Sequence, residues 1–310
     1  MPDLVRPPCA WRLRTRALEL GRQTLVMGVI NITPDSFSDG GAFLDPAAAV
    51  AQALRLLDEG ADLLDLGAES TRPGPSTGPR AGSSADGGPG PAVSAKEEQA
   101  RLLPVLKAIL AARPHAAVSV DTYKAATARA ALAAGAEIIN DVSGLMWDGE
   151  MAAVCADAGC GVVLMHTRGR PDEWRTQPQL QSDELLATVK AGLEASVKKA
   201  TEAGIASEAI VLDPGYGFGK RFGENYALLA HQAELLALGR PLLAGLSRKS
   251  FLGHTLAPFN GGQSAPANAR ETASIAAMVA AILHGASIVR VHAVRPAVEA
   301  ARIADAVLAG

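Results

Sequence analysis

The chain has 310 residues, a formal net charge of −3 and a hydrophobic content of 48%. This slightly acidic balance argues against a nucleic-acid or anionic-membrane surface, because such partners select a basic field. We therefore predict neither partner. Aromatic residues make up only 4% of the chain, so a large core has to be built from Ala, Val, Leu and Ile.

The cysteines and the N-terminal region bear on the compartment. Cys9, Cys155 and Cys160 have a spacing that fits no zinc or redox motif, so we interpret them as small hydrophobes in a reducing cytoplasm. No apolar run is long enough for a membrane span. Several arginines lie near the start without a following apolar region, so we expect no targeting peptide and a cytoplasmic location. Residues 10–23 are interpreted as a short hairpin.

Short apolar runs recur along the chain and predict eight strands. Their near-continuous hydrophobicity is typical of strands buried on both faces of a parallel sheet. The predicted strands are 25–31, 62–67, 117–121, 137–141, 161–166, 209–213, 242–247 and 286–292.

Longer Ala- and Leu-rich segments between these runs predict helices. Asp45 and Pro46 resemble an N-cap followed by an N1 proline, and Ser94 with Glu97 forms a capping-box pattern. Glycines follow the predicted helices, as C′ residues do. The predicted helices are about 46–59, 94–112, 123–134, 149–158, 182–203, 223–238, 268–284 and 296–308, and the glycines are Gly60, Gly135, Gly159, Gly204, Gly239 and Gly285.

Eight alternating β/α units indicate a closed (β/α)8 TIM barrel, and we predict one domain over residues 1–310 with a short N-terminal hairpin. A doubly wound open sheet is the alternative, and the strand count favours closure. Residues 74–93 are rich in Gly, Pro and Ser and predict a flexible loop insertion after the second strand. A domain linker is disfavoured there, because the β/α rhythm continues beyond it.

Polar residues collect where the predicted strands end. A single Asp after a strand is often only the cap of the next helix, but here nearly every strand ends this way. Because the carboxyl ends of barrel strands meet at one mouth, these side chains predict a site there. The strand bodies, by contrast, are interpreted as apolar. The polar ends are Asn31, Glu69, Arg72, Asp121, Asn140, Asp141, His166, Asp213, Ser247, Arg248, Lys249, Arg290 and His292.

These groups divide into two chemistries. Arg72, Arg290 and His292 suit a polyanion, because Arg donates two parallel hydrogen bonds to phosphate oxygens. Asn31 offers a neutral oxygen for Mg²⁺, an ion that keeps most of its waters. The remaining set suits a flat polar heterocycle, because a carboxylate accepts two N–H bonds from an amino-amide edge while Lys donates to a ring carbonyl or nitrogen. That set is Asp121, Asn140, Asp213 and Lys249.

The glycine-rich segment DPGYGFGK at 213–220 surrounds Phe218 and fits no Walker A pattern. SRKS at 247–250 runs into a helix-like stretch whose backbone N–H groups suit a carboxylate.

Eight motifs occur in an order that resembles the dihydropteroate synthase family. They are MGVINITPDSFSDGG, GAESTRPG, SVDTYK, IIND, LMH, DPGYGFGK, GLSRKS and RVH, and they extend over residues 27 to 292. Each motif alone is weak, whereas eight in order on the predicted loops of a barrel are specific.

The resemblance implies a reaction. An enzyme of this family condenses 6-hydroxymethyl-7,8-dihydropterin diphosphate with 4-aminobenzoate to give 7,8-dihydropteroate and pyrophosphate, with Mg²⁺. It also implies a homodimer and sensitivity of the family to sulfonamides as inhibitors. NITPDSFSDGG would then be a mobile catalytic loop that closes with the loop around 69–93.

The resemblance also sorts the residues by motif position. Asp121, Asn140, Asp213 and Lys249 are expected to hold the pterin ring. Asn31, Arg72, Arg290 and His292 are expected to hold the diphosphate and its metal. Phe37, Thr71, Pro73, Phe218, Ser247 and Ser250 are expected to shape the aminobenzoate site, and Arg248 is expected to bind substrate. Asp35, Arg72, Asp213 and Lys249 are expected to act in catalysis, with Asp35 near the reacting methylene.

Two departures from the family pattern stand out. Ala293 follows RVH where an Asp is common, and Thr167 with Arg168 follows LMH where Met and a polar residue are frequent. Two other readings remain open: a pterin-binding methyl-transfer domain, and an inactive pterin-binding homologue. The first would not need the RPG, SRKS and TPDSF motifs, all of which are present.

Overall fold

The computed structural model describes residues 6–32, 46–69 and 93–310. In these residues a closed barrel of eight parallel strands follows an antiparallel N-terminal hairpin. The hairpin strands are β1 (Cys9–Arg12) and β2 (Ala17–Leu20), and the barrel strands are β3 (Leu25–Asn31), β4 (Leu63–Gly67), β5 (Ala117–Asp121), β6 (Ile138–Asp141), β7 (Gly161–Met165), β8 (Ile210–Asp213), β9 (Leu242–Ala244) and β10 (Ala286–Val291). The predicted TIM barrel and hairpin are thus confirmed, and the open sheet is excluded because β10 pairs with β3.

Helices separate the barrel strands and pack around them. They are α1 (Pro46–Asp58), α2 (Ala95–Ala112), α3 (Ala125–Ala133), α4 (Met151–Ala158), α5 (Ser182–Glu202), α6 (Phe222–Ala230), α7 (Ser250–Thr255), α8 (Glu271–Leu283) and α9 (Val294–Ala309). The helix predicted over 223–238 is wrong in its second half, where residues 232–238 form a 3₁₀ helix after a break at His231. The predicted cap at Asp45 lies outside the described residues.

Local sequence signals set several helix ends. The Ser94 side chain accepts a hydrogen bond from the Glu97 N–H at 3.2 Å, as the capping-box pattern predicts. The glycines predicted to end helices all have positive φ, the conformation that a C′ residue adopts. They are Gly60, Gly135, Gly159, Gly204, Gly239 and Gly285.

Small aliphatic side chains let the helices approach the barrel closely. Helix α9 buries Val294, Ala297, Ala301 and Ala304, a spacing of three and four residues that lines up one helical face. The core is built from Ala, Val, Leu and Ile, as the scarcity of aromatic residues requires.

The N-terminal end of the barrel is closed by the hairpin. Trp11, Leu13 and Leu20 pack against inward-facing residues of all eight barrel strands, and Trp11 is fully buried. The Trp11 Nε1–H donates to the Ala209 carbonyl at 2.9 Å, which satisfies the indole. Each such large buried apolar side chain contributes roughly 1.5–3 kcal/mol. This plug leaves the opposite end of the barrel as the place for a site.

No helix in the described ranges is both long and apolar enough to cross a membrane.

Candidate active site

The barrel mouth gathers charged side chains from separate strands. Asp121 ends β5, and the register pairs it with Gly67 on β4 and Asn140 on β6. Asp213 ends β8, and Arg290 lies on β10. The predicted convergence of these strand ends is therefore what the fold produces.

Arg290 links two carboxylates inside the mouth. Its Nε donates to Asp65 Oδ2 at 2.6 Å, and its Nη2 donates to Asp121 Oδ2 at 2.9 Å. Asn140 Nδ2 donates to the same Asp65 oxygen at 3.1 Å. Asp65 thereby orients both the guanidinium and the amide. We assigned Arg290 to the diphosphate, and the structure places its guanidinium among the residues assigned to the pterin ring.

Asp65 was missed by sequence reasoning. It lies in the middle of β4 and is fully buried, so the expectation that strand bodies are apolar is wrong at this position. Ser119 occupies the paired position on β5 and is also buried. Asp65 Oδ1 and Ser119 Oγ have no hydrogen-bond partner among the described residues. A charged residue within an otherwise apolar strand was the available signal.

Burial dominates the electrostatics of this cluster. Desolvation raises the pKa of Asp121 to about 7, against the opposing effect of Arg290. Burial alone would lower the pKa of the Arg290 guanidinium. The neighbouring carboxylates of Asp65 and Asp121 outweigh this effect, so the pKa is raised. Desolvation also raises the pKa of Asp213. A hydrogen-bond donor or a developing positive charge in the mouth would therefore stabilise the ionised form of these carboxylates.

The loop after β8 holds Asp213 in place. Asp213 Oδ1 accepts the Gly215 N–H at 2.7 Å. Gly215 has a φ of +72°, and a Cβ there would lie 1.9 Å from the His166 carbonyl oxygen. Only glycine fits this close approach. The DPG start of the loop thus fixes one carboxylate oxygen of Asp213 at the mouth.

Lys220 ties the same loop to the end of β7. It is buried, and its Nζ donates to the carbonyls of His166, Gly215 and Phe218 at 3.2, 2.8 and 3.3 Å. Three acceptors match the three N–H donors of an ammonium group. Burial lowers the pKa of Lys220 to about 7. The sequence shows Lys220 only as the end of the glycine-rich segment, because its contacts depend on a loop path that the motif does not reveal.

Lys249 and Phe218 meet across the mouth. The Lys249 Nζ lies 3.9 Å from the centroid of the half-buried Phe218 ring, a cation–π distance. Lys249 also contributes electrostatically to Asp213 and Asp121, opposing the rise in their pKa values. Lys249 is thus brought to the predicted pterin residues, and Phe218 is in direct contact with it.

The residues around SRKS divide between the mouth and its rim. His292 Nδ1 and Ser247 Oγ lie 2.9 Å apart, so these two predicted residues are in hydrogen-bond contact. Arg248 has a φ of +59°, and its Nε donates to Glu271 at 3.2 Å. Ser250 is exposed and begins α7, as the helix-like sequence after SRKS predicts.

His166 departs from the expected convergence. It is buried, and its ring packs against α5 so closely that a Cβ on Gly192 would lie 2.4 Å from its Cδ2. Burial lowers its pKa well below the usual value, so the ring is neutral at pH 7. The polar end of β7 therefore belongs to packing rather than to the mouth.

Several predicted residues lie outside the described ranges. Asn31 is described, at the end of β3 and half-buried. The predicted residues outside the described ranges are Asp35, Phe37, Thr71, Arg72 and Pro73. Residues 74–92 of the predicted insertion also lie outside them. Glu69, the last described residue before that insertion, forms an ion pair with Lys124, which also pairs with the buried Glu98 at 3.2 Å. Lys124, the last residue of SVDTYK, thus links the segment after β4 to helix α2.

The described residues contain no group of three His, Cys, Asp or Glu side chains that could hold a metal ion. Asn31 offers one neutral oxygen. This donor set fits an ion that reaches the mouth with a diphosphate, because Mg²⁺ is usually bound by one or two protein ligands, substrate phosphates and water.

Comparison with known proteins gives a consistent result. The model of the pterin-binding enzyme family matches residues 27–292. A dihydropteroate synthase from Mycobacterium leprae is 44% identical over 282 residues, 91% of this chain and 92% of that protein. A crystal structure of the Yersinia pestis dihydropteroate synthase in a sulfonamide drug complex superposes with a TM-score of 0.83 at 39% identity and covers 97% of this chain and 99% of its own. The Xanthomonas albilineans dihydropteroate synthase in complex with 7,8-dihydropteroate has a TM-score of 0.79 at 37% identity, over 97% of this chain and 99% of that one.

A (β/α)8 barrel with a polar, carboxylate-lined mouth and a family match over most of its length defines the class: the chain belongs to the pterin-binding enzymes. Within that family, these similar proteins are dihydropteroate synthases, the group that the motifs predict.

Proposed function

We propose that the chain is a transferase of folate synthesis, which condenses 6-hydroxymethyl-7,8-dihydropterin diphosphate with 4-aminobenzoate to give 7,8-dihydropteroate and pyrophosphate. The observation that carries this is the convergence of Asp121, Asn140, Asp213 and Lys249 at one mouth, together with the dihydropteroate synthases that resemble the chain over its length.

The pterin ring would lie against the buried carboxylates. The other oxygen of Asp213 accepts from the amino-amide edge, and Lys249 donates to a ring carbonyl or nitrogen. When pyrophosphate leaves, the C–O bond breaks with its electron pair and positive charge develops on the methylene and ring. Fixed carboxylates in a low-dielectric mouth stabilise that charge without having to reorganise. Asp35 is assigned the same role near the methylene.

The diphosphate is assigned to Arg72, Arg290 and His292, with Asn31 as a ligand of Mg²⁺. The ion would neutralise charge on the leaving pyrophosphate. Arg290 is already held by Asp65 and Asp121, so its remaining N–H donors are presented in a fixed orientation.

Because Mg²⁺ is proposed to neutralise the leaving group, chelation of the ion should stop pyrophosphate release. Asn31→Ala should raise the Mg²⁺ concentration needed for half-maximal rate.

The aminobenzoate is assigned to the outer part of the mouth. Its aniline nitrogen is neutral at pH 7 and attacks the cationic methylene directly. The acidic ammonium group that forms loses its proton to water, so no strong general base is required. Ser247 and the first N–H groups of α7 suit its carboxylate. The aminobenzoate site is assigned to Phe37, Thr71, Pro73, Phe218, Ser247 and Ser250, and Arg248 is assigned to substrate binding.

The proposed function is tested by pyrophosphate release from the purified chain with dihydropterin diphosphate and Mg²⁺. Release that depends on 4-aminobenzoate and yields dihydropteroate is the expected result. Tight pterin binding without product would instead identify an inactive pterin-binding homologue, and Ala293 would be the first position to change to Asp.

We also propose a single-domain cytoplasmic enzyme that forms a homodimer. Helix α9 exposes Ile303 and Val307, four residues apart, with 70% and 64% of each residue accessible. An apolar pair on one face suits burial against a second copy. Sedimentation should give a dimer for the parent chain and a shift towards monomer for Val307→Glu.

A further inference from the structure

The segment between β7 and α5 packs against the loop that carries Phe218. We propose that Trp174, in this segment, is a positioning residue for the pterin end of the site: it holds the Phe218 ring, and that ring supports the Lys249 ammonium. The inference rests on the proposed role of Lys249 in holding the pterin.

The indole of Trp174 is fixed at its polar end. Trp174 is only 7% exposed. Its Nε1–H points at both the Thr167 Oγ1, at 3.0 Å, and the Gly169 carbonyl, at 3.1 Å. Thr167 Oγ1 in turn donates to the same carbonyl at 3.0 Å. These contacts give the indole one orientation. They also give Thr167, at the position where the family often has Met, a definite task.

The other end of the indole meets Phe218. The two ring centroids are 5.0 Å apart and the planes cross at 87°, an edge-to-face pair. The backbone follows the same contact, because the Arg168 N–H donates to the Phe218 carbonyl at 3.4 Å. A Cβ on Gly219 would lie 2.6 Å from the Arg168 carbonyl oxygen, so the two segments touch at backbone distance.

Arg168 fastens this segment from behind. It is buried and pairs with Glu224 at 3.3 Å, and its Nη2 donates to the Pro178 carbonyl at 2.7 Å. Glu224 also accepts the Leu180 N–H at 2.7 Å. The segment is thus tied to α6 at several points, which makes it a firm support for Trp174.

A fixed Phe218 ring restricts the position of the Lys249 ammonium. A lysine side chain has four rotatable bonds and a compact charge, so it takes whichever position its neighbours favour. Asp213 and Asp121 attract the ammonium from the carboxylate side, and the Phe218 ring lies 3.9 Å from it. A ring that is free to rotate would let the ammonium move towards the carboxylates and away from the heterocycle. By holding the Phe218 ring, Trp174 therefore sets the position of the Lys249 ammonium between that ring and the carboxylates.

The experiment compares Trp174→Ala, Trp174→Phe, Phe218→Leu and the Trp174→Ala/Phe218→Leu double variant. The matched control is Trp11→Phe, because Trp11 is also a buried indole that donates to a carbonyl but lies at the opposite end of the barrel. Steady-state kinetics give kcat and KM for both substrates. Titration calorimetry with 6-hydroxymethylpterin gives pterin affinity without turnover, and thermal unfolding gives Tm.

We expect Trp174→Ala to raise KM for dihydropterin diphosphate and Kd for the pterin about tenfold, the scale of losing an aromatic pair and weakening a cation–π contact. Trp174→Phe keeps a ring and should restore most of the affinity. The double variant should bind the pterin no more weakly than Phe218→Leu alone. Trp11→Phe should lower Tm and leave both KM values unchanged.

Two results overturn the inference. One is a Trp174→Ala variant whose Tm is lowered but whose pterin Kd is unchanged. The other is a double variant in which the losses of affinity of the two single variants simply add. If Trp174→Ala does not fold, the same comparison is made with Trp174→Leu, which keeps apolar volume without a ring. Failure of the proposed function looks different: the parent chain then shows no aminobenzoate-dependent release, or Lys249→Ala leaves pterin affinity intact.

Discussion

The two ends of the barrel are built from opposite materials. The N-terminal end is filled by Trp11, Leu13 and Leu20 against apolar strand residues, and Glu137 holds the hairpin turn by accepting the Thr15 N–H at 2.9 Å. The C-terminal end brings buried and half-buried Asp, Arg and Lys side chains together. At the N-terminal end, burial of apolar surface stabilises the fold. At the C-terminal end, desolvation of charged groups opposes part of that stabilisation.

This difference teaches where substitutions should act. A change at the plug removes packing and should lower stability without altering substrate affinity. A change at the mouth removes a hydrogen bond to a ligand and should leave stability intact or raise it.

Trp11→Ala should have the largest effect. It opens a cavity beneath the barrel and leaves the Ala209 carbonyl without its 2.9 Å donor. We expect a loss of about 3–5 kcal/mol in the free energy of unfolding. Chemical denaturation measures the loss, and pterin titration of the folded fraction should give an unchanged Kd. A weakened Kd would contradict the separation of the two ends.

Asp213→Asn tests the mouth. The amide oxygen can still accept the Gly215 N–H, but the new NH₂ group faces a ligand edge that also donates. Because hydrogen bonds to charged groups are worth about 1.5–3 kcal/mol, we expect about 100-fold weaker pterin binding. Stability should be retained or increased, since burial raises the pKa of this carboxyl and disfavours its charge. If Asp213→Asn lowered the free energy of unfolding as much as the free energy of pterin binding, the residue would have a structural role instead.

Lys220→Met tests the cost of a buried cation through pH. The pKa of Lys220 is lowered to about 7 in the folded chain, whereas an unfolded lysine titrates near 10.5. Between these values the unfolded chain binds one more proton, so this group makes stability rise with pH by up to about 1.4 kcal/mol per unit. Below pH 7 the penalty is fully present.

The measurement is the free energy of unfolding of the parent chain and of Lys220→Met at several pH values. The difference between them should change between pH 7 and 10.5 and stay constant below that window. A parallel pair of curves would show that the pKa is not lowered.

Arg16→Ala should have the smallest effect. Arg16 is partly exposed and lies 3.4 Å from Glu137, and it also donates to the His115 carbonyl at 2.7 Å. Pairs of this kind contribute about 1 kcal/mol or less. Denaturation should detect a small loss that high salt reduces, and kinetics should not change. A loss as large as that of Trp11→Ala would mean that the hairpin turn, not its apolar contacts, holds the plug.

The sequence predicted the fold and part of the site because both are written in local patterns. Apolar runs locate the strands, and a polar residue just after a run, such as Asp213, marks the mouth. Asp65 escaped because it interrupts a run rather than ending it, and its partner Arg290 lies 225 positions away. The contact of Lys249 with Phe218 likewise depends on how two loops fold over one another. His166 fits the local pattern but faces α5, which periodicity cannot distinguish.

The charge pattern of the mouth has a consequence for how ligands arrive. Asp65, Asp121 and Asp213 are balanced by Arg290, Lys249 and Lys220, so their formal charges cancel over a short distance. A balanced cluster projects little field into the solvent, because opposite charges screen each other before salt can. Steering of the anionic diphosphate substrate by this cluster should then depend little on ionic strength, and recognition by the cluster should begin only at contact range.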